Sequence, residues 1–463
     1  MTKYDVGSLP YELQKIALGA CFLGSGGGGK LKTSLKYIND YFSDNKEFQN
    51  FQIADLITDL EQTQKGESGI VVAYMGAPQK MDSIKCPDAV CKGIEKFVND
   101  MQNKDQNFKG IDYIIPVEIG PVSTITACLT AHKMGKTVLN VDGAGRAVPT
   151  LDLITYTTNA HVSVNPTFLC SENENENKKP PEAPVYHQIK LEIFGDKKPG
   201  AVFSDDMDSG AASKMESLAR PVLNMPEFDQ KAGLVMWYFE DVTKLMDDLA
   251  SVKGTLTFCH KLGGAIRSKL KDEDGLPDIE ELFADIKELF KVQPMFKELP
   301  IYPDPAIKEI CRGELKSATT LTAGGFDVGV ITIKDNRVKG DPEHFYKIIF
   351  QNESLLLWDS DSPIPLVMAP DLISYLIEEE PYTFTNGDIM DNGALKNGLD
   401  GKNIVVYGIA APRALMESES NMIKHKKKLC NTIAGVEHNA LPKHYMSILN
   451  NIGYYGRYKS LKE

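Results

Sequence analysis

The stretch from Ile111 to Pro149, IDYIIPVEIGPVSTITACLTAHKMGKTVLNVDGAGRAVP, leaves this chain few folds to choose from. Asp112–Val117 is a short apolar run of the kind that forms a buried strand. Gly120-Pro121 breaks it, Ser123–Met134 carries small and apolar residues at helical spacing, and Gly135 fits a helix stop. Thr137–Val141 reads as a second strand. Strand, helix and strand joined this tightly form a βαβ unit, whose parallel strands cross over right-handed. The carboxyl ends of both strands then lie on one edge of the sheet, where ligands of open α/β sheets bind. Glu118 follows the first strand and Asp142 the second, so Glu118, Asp142 and Arg146 are expected to face one shared cleft.

The flanking sequence continues the alternation. Tyr11–Leu23 and Leu31–Phe42 show helical spacing, Phe51–Ile57 and Gly69–Met75 read as strands, and Asp88–Met101 reads as a helix. This predicts an N-terminal α/β domain over residues 1–170 with a mostly parallel sheet. Leu151–Ala160 reads as helical. Residues 171–184, SENENENKKPPEAP, are acidic and proline-rich, as in a linker or an inserted loop. Residues 185–463 are expected to form an α+β domain richer in β-structure. There Val185–Phe194, Ala201–Ser204, Phe326–Lys334, Phe345–Phe350, Ser354–Trp358 and Asn403–Tyr407 read as strands. Ser209–Leu218, Leu234–Ser251, Phe258–Leu270, Asp278–Phe290 and Asp371–Glu378 read as helices, and the tail carries a basic run, His425–Lys428.

The net charge of −13 argues against a nucleic-acid partner, which calls for a basic face. No apolar run approaches the roughly 20 residues that span a bilayer, and Met1–Lys15 lacks the apolar core of a signal peptide. A cytoplasmic protein without a membrane partner is expected, assembled as a homo-oligomer. The eight cysteines are scattered, and the closest pair, Cys86 and Cys91, has no companion pair to complete a zinc site. His260 beside Cys259 reads as a structural histidine, because adjacent positions on a helix face different directions. Neither H-E-x-x-H nor G-x-S-x-G is present.

Gly24-Ser25-Gly26-Gly27-Gly28-Gly29-Lys30 satisfies G-x-G-x-x-G and nearly satisfies the P-loop pattern. Both motifs need a strand in front, where this chain reads as helix, and the P-loop needs Ser or Thr where Leu31 stands. A tightly turned connector is one alternative to nucleotide binding. A ligand cradle is another: Gly26, Gly27, Gly28 and Gly29 would aim backbone N–H groups at a substrate, helped by the helix N-terminus that follows. Gly143 and Gly145 let the backbone turn sharply around Ala144 and bring Arg146 toward the cleft, or toward Asp142 as an ion-pair partner. Asn352-Glu353 lies between two candidate strands, either as a polar turn or as a contribution to the site from the second domain.

Several stretches, in order, resemble the S-methyl-thiohydantoin desulfurase family. They are the helix leading into LGSGGGG, Gly76-Ala77-Pro78, Glu118-Ile119-Gly120, DGAGRAVP from Asp142 to Pro149, Gly324-Gly325-Phe326 and FQNESL from Phe350 to Leu355. The resemblance implies two domains and an enzyme acting on a hydantoin-type five-membered ring, releasing methanethiol from an S-methyl-thiohydantoin. It also implies the company of hydantoinase- or oxoprolinase-like proteins, so a non-catalytic accessory subunit is the alternative to an enzyme. The chain departs from the family pattern at Pro121 in place of a second glycine, at Ala144 and Val148 in place of Met and Phe, and at Lys30 in place of Asp. In the enzymatic reading Glu118 or Asp142 acts as base, and Arg146 with the glycine-loop N–H groups steadies developing negative charge. No cofactor is expected, with a metal left open.

Overall fold

The computed structural model describes residues 4–44, 52–76, 81–173, 185–194, 207, 210–269, 279–293, 306–323, 326–336, 343–379, 382–416, 448–454 and 461. Ala201–Ser204 and the basic run at His425–Lys428 lie outside them, as do residues 174–184 of the expected linker.

The chain opens with α1 (Leu9–Leu23), apolar on nearly every face and buried accordingly, followed by the glycine loop and α2 (Leu31–Asp44). Of the strand expected over Phe51–Ile57, whose first residue lies outside the described ones, Ile53–Leu56 forms one helical turn, ahead of the two-residue β1 (Ile57–Thr58). Then come β2 (Gly69–Gly76), α3 (Asp88–Lys104), β3 (Tyr113–Pro116), α4 (Pro121–Lys133) and β4 (Thr137–Leu139). The βαβ unit forms, with β3 and β4 parallel. Asn140 ends β4, and the next two residues leave the sheet as β5 (Val141–Asp142). Leu151–Ala160 holds only a 3₁₀ turn and a four-residue helix.

β6 (Thr167–Asn173), β7 (Val185–Leu191), α5 (Ala211–Leu223) and β8 (Lys231–Phe239) follow. The seven-stranded sheet runs β1-β4-β3-β2-β8-β6-β7. Its β1, β4, β3 and β2 pair in parallel, whereas β8, β6 and β7 are antiparallel additions, so the sheet is mixed and not mostly parallel. The antiparallel half rests on β8, which occupies residues expected to be helical. Leu234–Trp237 is a continuous apolar run buried on both faces, and such a run fits a central strand as well as a helix.

β9 (Val252–Lys253) pairs with β5, and α6 (Thr255–Ser268) packs on α1 so closely that a Cβ on Gly19 would lie 1.9 Å from the Cys259 carbonyl oxygen. After α7 (Ile279–Val292) comes a second, antiparallel sheet. It is built from β10 (Ile307–Ala323), β11 (Phe326–Lys334), β12 (Phe345–Gln351), β13 (Glu353–Asp359), β14 (Val367–Met368), β15 (Leu372–Ile377), β16 (Met390–Asp391), β17 (Ala394–Leu395) and β18 (Asn403–Ile409). Its order is β14-β13-β12-β11-β10-β17-β16, with β18 joining β10 to β15. Asp371–Glu378, expected as a helix, is β15, a run of residues buried against β18. The core under α1 and α6 takes in Leu372, Leu376, Val405 and Tyr407 of this sheet, so the α-helical layer is shared. Among the described residues no helix is long and apolar enough to cross a membrane.

Candidate functional site

A cleft of about 170 Å³ opens where the carboxyl end of β3 meets the glycine loop and the β12–β13 turn. Gly26, Gly27, Gly28, Gly29, Glu118, Asn352 and Glu353 line it, together with Lys30, Ser123, Glu216, Arg220, Asp327 and Asn386. Of the expected set, Asp142 and Arg146 are absent from the lining and fully buried behind it, at 0% exposure. Gly143 and Gly145 stay with them.

Glu118 projects from the turn between β3 and α4. Ser123 Oγ donates to its Oε1 at 3.0 Å and the Val148 N–H to its Oε2 at 2.7 Å. Burial, then the nearby Glu353 carboxyl, raises its pKa well above the ordinary carboxylate range. Glu353 is the first residue of β13, with Asn352 alone forming the turn. Asn352 takes a left-handed φ of 57° and binds Asp327 through both its N–H and its Oδ1. Glu353 is 3% exposed, its Oε1 accepts a long 3.4 Å bond from the Gly28 N–H, and its Oε2 has no hydrogen-bond partner among the described residues. Burial raises Glu353 too, opposed by the charge of Arg146.

The glycine loop is held by β13, by the loop between β15 and β16, and by the first turn of α4. Ser25 O accepts from the Ser354 N–H at 2.7 Å, Gly26 O from Asn386 N–H at 2.8 Å, and Gly28 O from Val122 N–H at 3.0 Å. Glycine is required by close approach. A Cβ on Gly27 would lie 2.2 Å from Glu353 Oε1, and one on Gly28, at φ +70°, would lie 2.4 Å from Gly120 Cα. The N-terminus of α2 is not open to a ligand: Asp388 accepts from Leu31 N–H at 2.9 Å and Lys32 N–H at 3.2 Å. An acid from the loop between β15 and β16 thus sits where a phosphate would. The loop follows a helix, α1, and not a strand, so the nucleotide reading fails on both counts.

Asp142 is drawn inward because β5 pairs with β9 instead of continuing β4. Its Oδ1 accepts from Ala144 and Gly145 N–H at 2.7 and 2.6 Å, and burial, partly offset by those bonds, pushes its pKa up to about 7. Arg146 crosses to the other sheet. Nη1 donates to the carbonyls of Pro370 at 2.6 Å and Asp371 at 3.1 Å, and Nη2 to that of Ser354 at 3.4 Å. It ties the two sheets together just beneath Glu353.

Residues 11–178 match the S-Me-THD-like N-terminal domain and residues 210–423 the S-Me-THD-like C-terminal domain. The chain belongs to the S-Me-THD-like family. A crystal structure of a protein from Chromobacterium violaceum shares the fold of this S-Me-THD-like chain at 24% identity and a TM-score of 0.68, covering 98% of each chain. No curated protein matches the sequence.

Glu216 and Arg220 went unread in the sequence of this family member. They sit at i and i+4 on α5, a spacing that usually marks a solvated helix face. Here Glu216 is buried, accepting from the Leu151 N–H at 2.8 Å and from Arg220, whose guanidinium lies 4.0 Å from the Phe326 ring centroid. Cys86 and Cys91 are buried free thiols, and His260 is paired with Glu12. Among the described residues His344, Asp359 and Asp361 have the spacing to hold a metal, at the far end of the β12–β13 hairpin from the cleft.

Proposed function

We propose that this protein is a hydrolase-like enzyme acting on a hydantoin-type five-membered ring, with release of methanethiol from an S-methyl-thiohydantoin as the reaction. The observation that carries this reading is a pair of carboxyls, the half-buried Glu118 and the buried Glu353, lining one cleft and each raised toward neutrality. Family membership supplies the ring class. Carboxyls titrating near neutral pH suit both proton abstraction and proton donation.

In this mechanism water attacks the ring carbon that bears sulfur. The ionised member of the pair takes one proton from that water as the C–O bond forms. The C–S bond then breaks, the protonated member gives its proton to the departing sulfur, and the second proton of the former water moves to the ring nitrogen as the carbonyl forms. The products are methanethiol and a hydantoin. Glu118, steadied by Ser123 and the Val148 N–H, is assigned as base, and Glu353 as acid. Asp142 and Arg146 are assigned as positioning residues, shaping the loop and setting the charge around Glu353.

The test is methanethiol release by the purified protein from an S-methyl-thiohydantoin, followed with a thiol reagent. Turnover lost in both Glu118→Gln and Glu353→Gln, with intact folding, supports the assignment. Full turnover in either variant removes the acid–base pair, and no turnover by the unaltered protein removes the reaction.

A further inference from the structure

We infer that the cleft selects its ring as an N–H-donating cation, a cyclic amidinium or isothiouronium, and rejects anionic or acceptor-only rings, because two carboxyls, one of them buried, face it with an oxygen left unmatched. This deepens, and rests on, the functional reading above.

The first observation is Glu353 Oε2. It is a carboxyl oxygen on a side chain 3% exposed, in the cleft lining, with no donor among the described residues. Its sister oxygen has only the 3.4 Å contact from Gly28 N–H. A buried oxygen without a donor is costly to keep, and a ligand N–H removes that cost. The second observation is the balance of charge. Glu118 faces Glu353 and, behind it, Asp142. Glu353 faces Arg146 and Glu216. Two lining carboxyls thus face each other, and the guanidinium that acts on Glu353, that of Arg146, is itself bonded to backbone carbonyls of the second sheet.

The cations at the rim are already engaged. Arg220 is paired with Glu216, and Lys30 lies 3.7 Å from Asp82. Asp327 adds a further acid to the lining. An anionic ring substituent would therefore meet acids whose neighbours are committed elsewhere. The two N–H groups of a cyclic amidinium diverge on either side of the carbon between them, so each can meet a different carboxyl, and hydrogen bonds between charged partners are the stronger kind. Glu353, the carboxylate beside Arg146, takes the cation's extra ring proton once it is bound and so becomes the acid of the mechanism, and the hydantoin product, which carries no charge, is held less tightly than the substrate.

The experiment is calorimetric titration of the full chain at about pH 8 and about pH 5.5, a range chosen to cross the raised carboxyl titrations. The probes are 2-methylthio-2-imidazoline (a cation), hydantoin (neutral) and hydantoin-5-acetate (an anion). The cation should bind at least about tenfold more tightly than hydantoin at the higher pH, with the anion weakest, as charge-assisted bonds are roughly twice as strong as neutral ones. Its advantage should shrink by about tenfold at the lower pH, as the carboxyls take up protons. Glu353→Gln should lower cation affinity to that of hydantoin. Hydantoin binding as tightly as the cation at the higher pH overturns the inference, as does unchanged cation affinity in a folded Glu353→Gln variant. If that variant does not fold, the comparison of the two pH values on the unaltered chain decides. Methanethiol release without cation preference sinks this inference alone, and cation preference without methanethiol release sinks the functional reading alone.

Discussion

The turn after β3 and the last residue of β5 each supply one acid, Glu118 and Asp142, to the neighbourhood of the cleft. Glu118 opens on the cleft, whereas Asp142 lies wholly buried behind it. Strand order places the two backbones side by side, but two local choices separate the side chains. Glu118 is fixed by donors from outside its own turn, Ser123 and Val148, and still reaches the cleft. Asp142 is shorter and is taken up by the N–H groups of its own loop, and β5 has already turned away to pair with β9. Topology sets where an acid can be, and the donors within reach decide what it can do.

The sharpest way to break this contrast is kinetic. Glu118→Gln should lower methanethiol release by about 10²–10⁴-fold, the usual range for losing an acid–base group, while the melt stays cooperative. Turnover retained there but lost in a folded Asp142→Asn would reverse the roles of the two acids. Next in size is Arg146→Ala, which removes the donor to Ser354, Pro370 and Asp371 carbonyls and leaves Glu353 without its buried counter-charge. Urea unfolding should show a loss of about 3–5 kcal/mol, as when one partner of a buried charge pair is deleted. Native stability with turnover gone would move Arg146 to the cleft side of the comparison.

Asp142→Ala leaves the Ala144 and Gly145 N–H groups unsatisfied and should cost about 1–3 kcal/mol in the same measurement. Asp142→Asn keeps an acceptor, so its signature is in pH. The carboxyl is raised to about 7, so the folded protein holds a proton that the unfolded chain releases near pH 4. Stability is therefore lost as pH rises through that window and levels off above it. The asparagine variant should flatten this slope, and an unchanged slope would show that Asp142 does not carry it. The smallest effect expected is from Asp388→Ala. It uncaps α2 and should lower stability by about 1 kcal/mol, with the glycine loop less protected from amide exchange.

Much of this contrast can be read in the sequence, and part of it cannot. The βαβ unit and the strand ends carrying Glu118 and Asp142 follow from apolar runs and glycine placement, whereas the meeting of the glycine loop with Glu353 does not, since Asn352-Glu353 reads equally as a polar turn. The side on which Asp142 ends does not follow, because Asn140 splits an apparently continuous strand by capping α6, accepting from the Leu256 and Thr257 N–H groups with its Oδ1. β8 and β15 look helical because runs buried on both faces have no period of two to display. β10 escapes notice for a different reason. Register shifts between Glu309 and Cys311 and between Leu315 and Ser317 break its alternation twice. Asp388 gives no local sign at all, since the helix it caps lies more than 350 residues earlier.

The contact between Gly28 and Gly120 has a genetic consequence. A Cβ on either one would lie 2.4 Å from the other's Cα. Damage caused by enlarging one of them cannot be repaired by trimming its partner, since nothing smaller than hydrogen is available there. Suppressors of a Gly28→Ala or Gly120→Ala defect should therefore map to residues that let the backbone itself shift, such as Val122 or Ala147, and never to the opposing glycine.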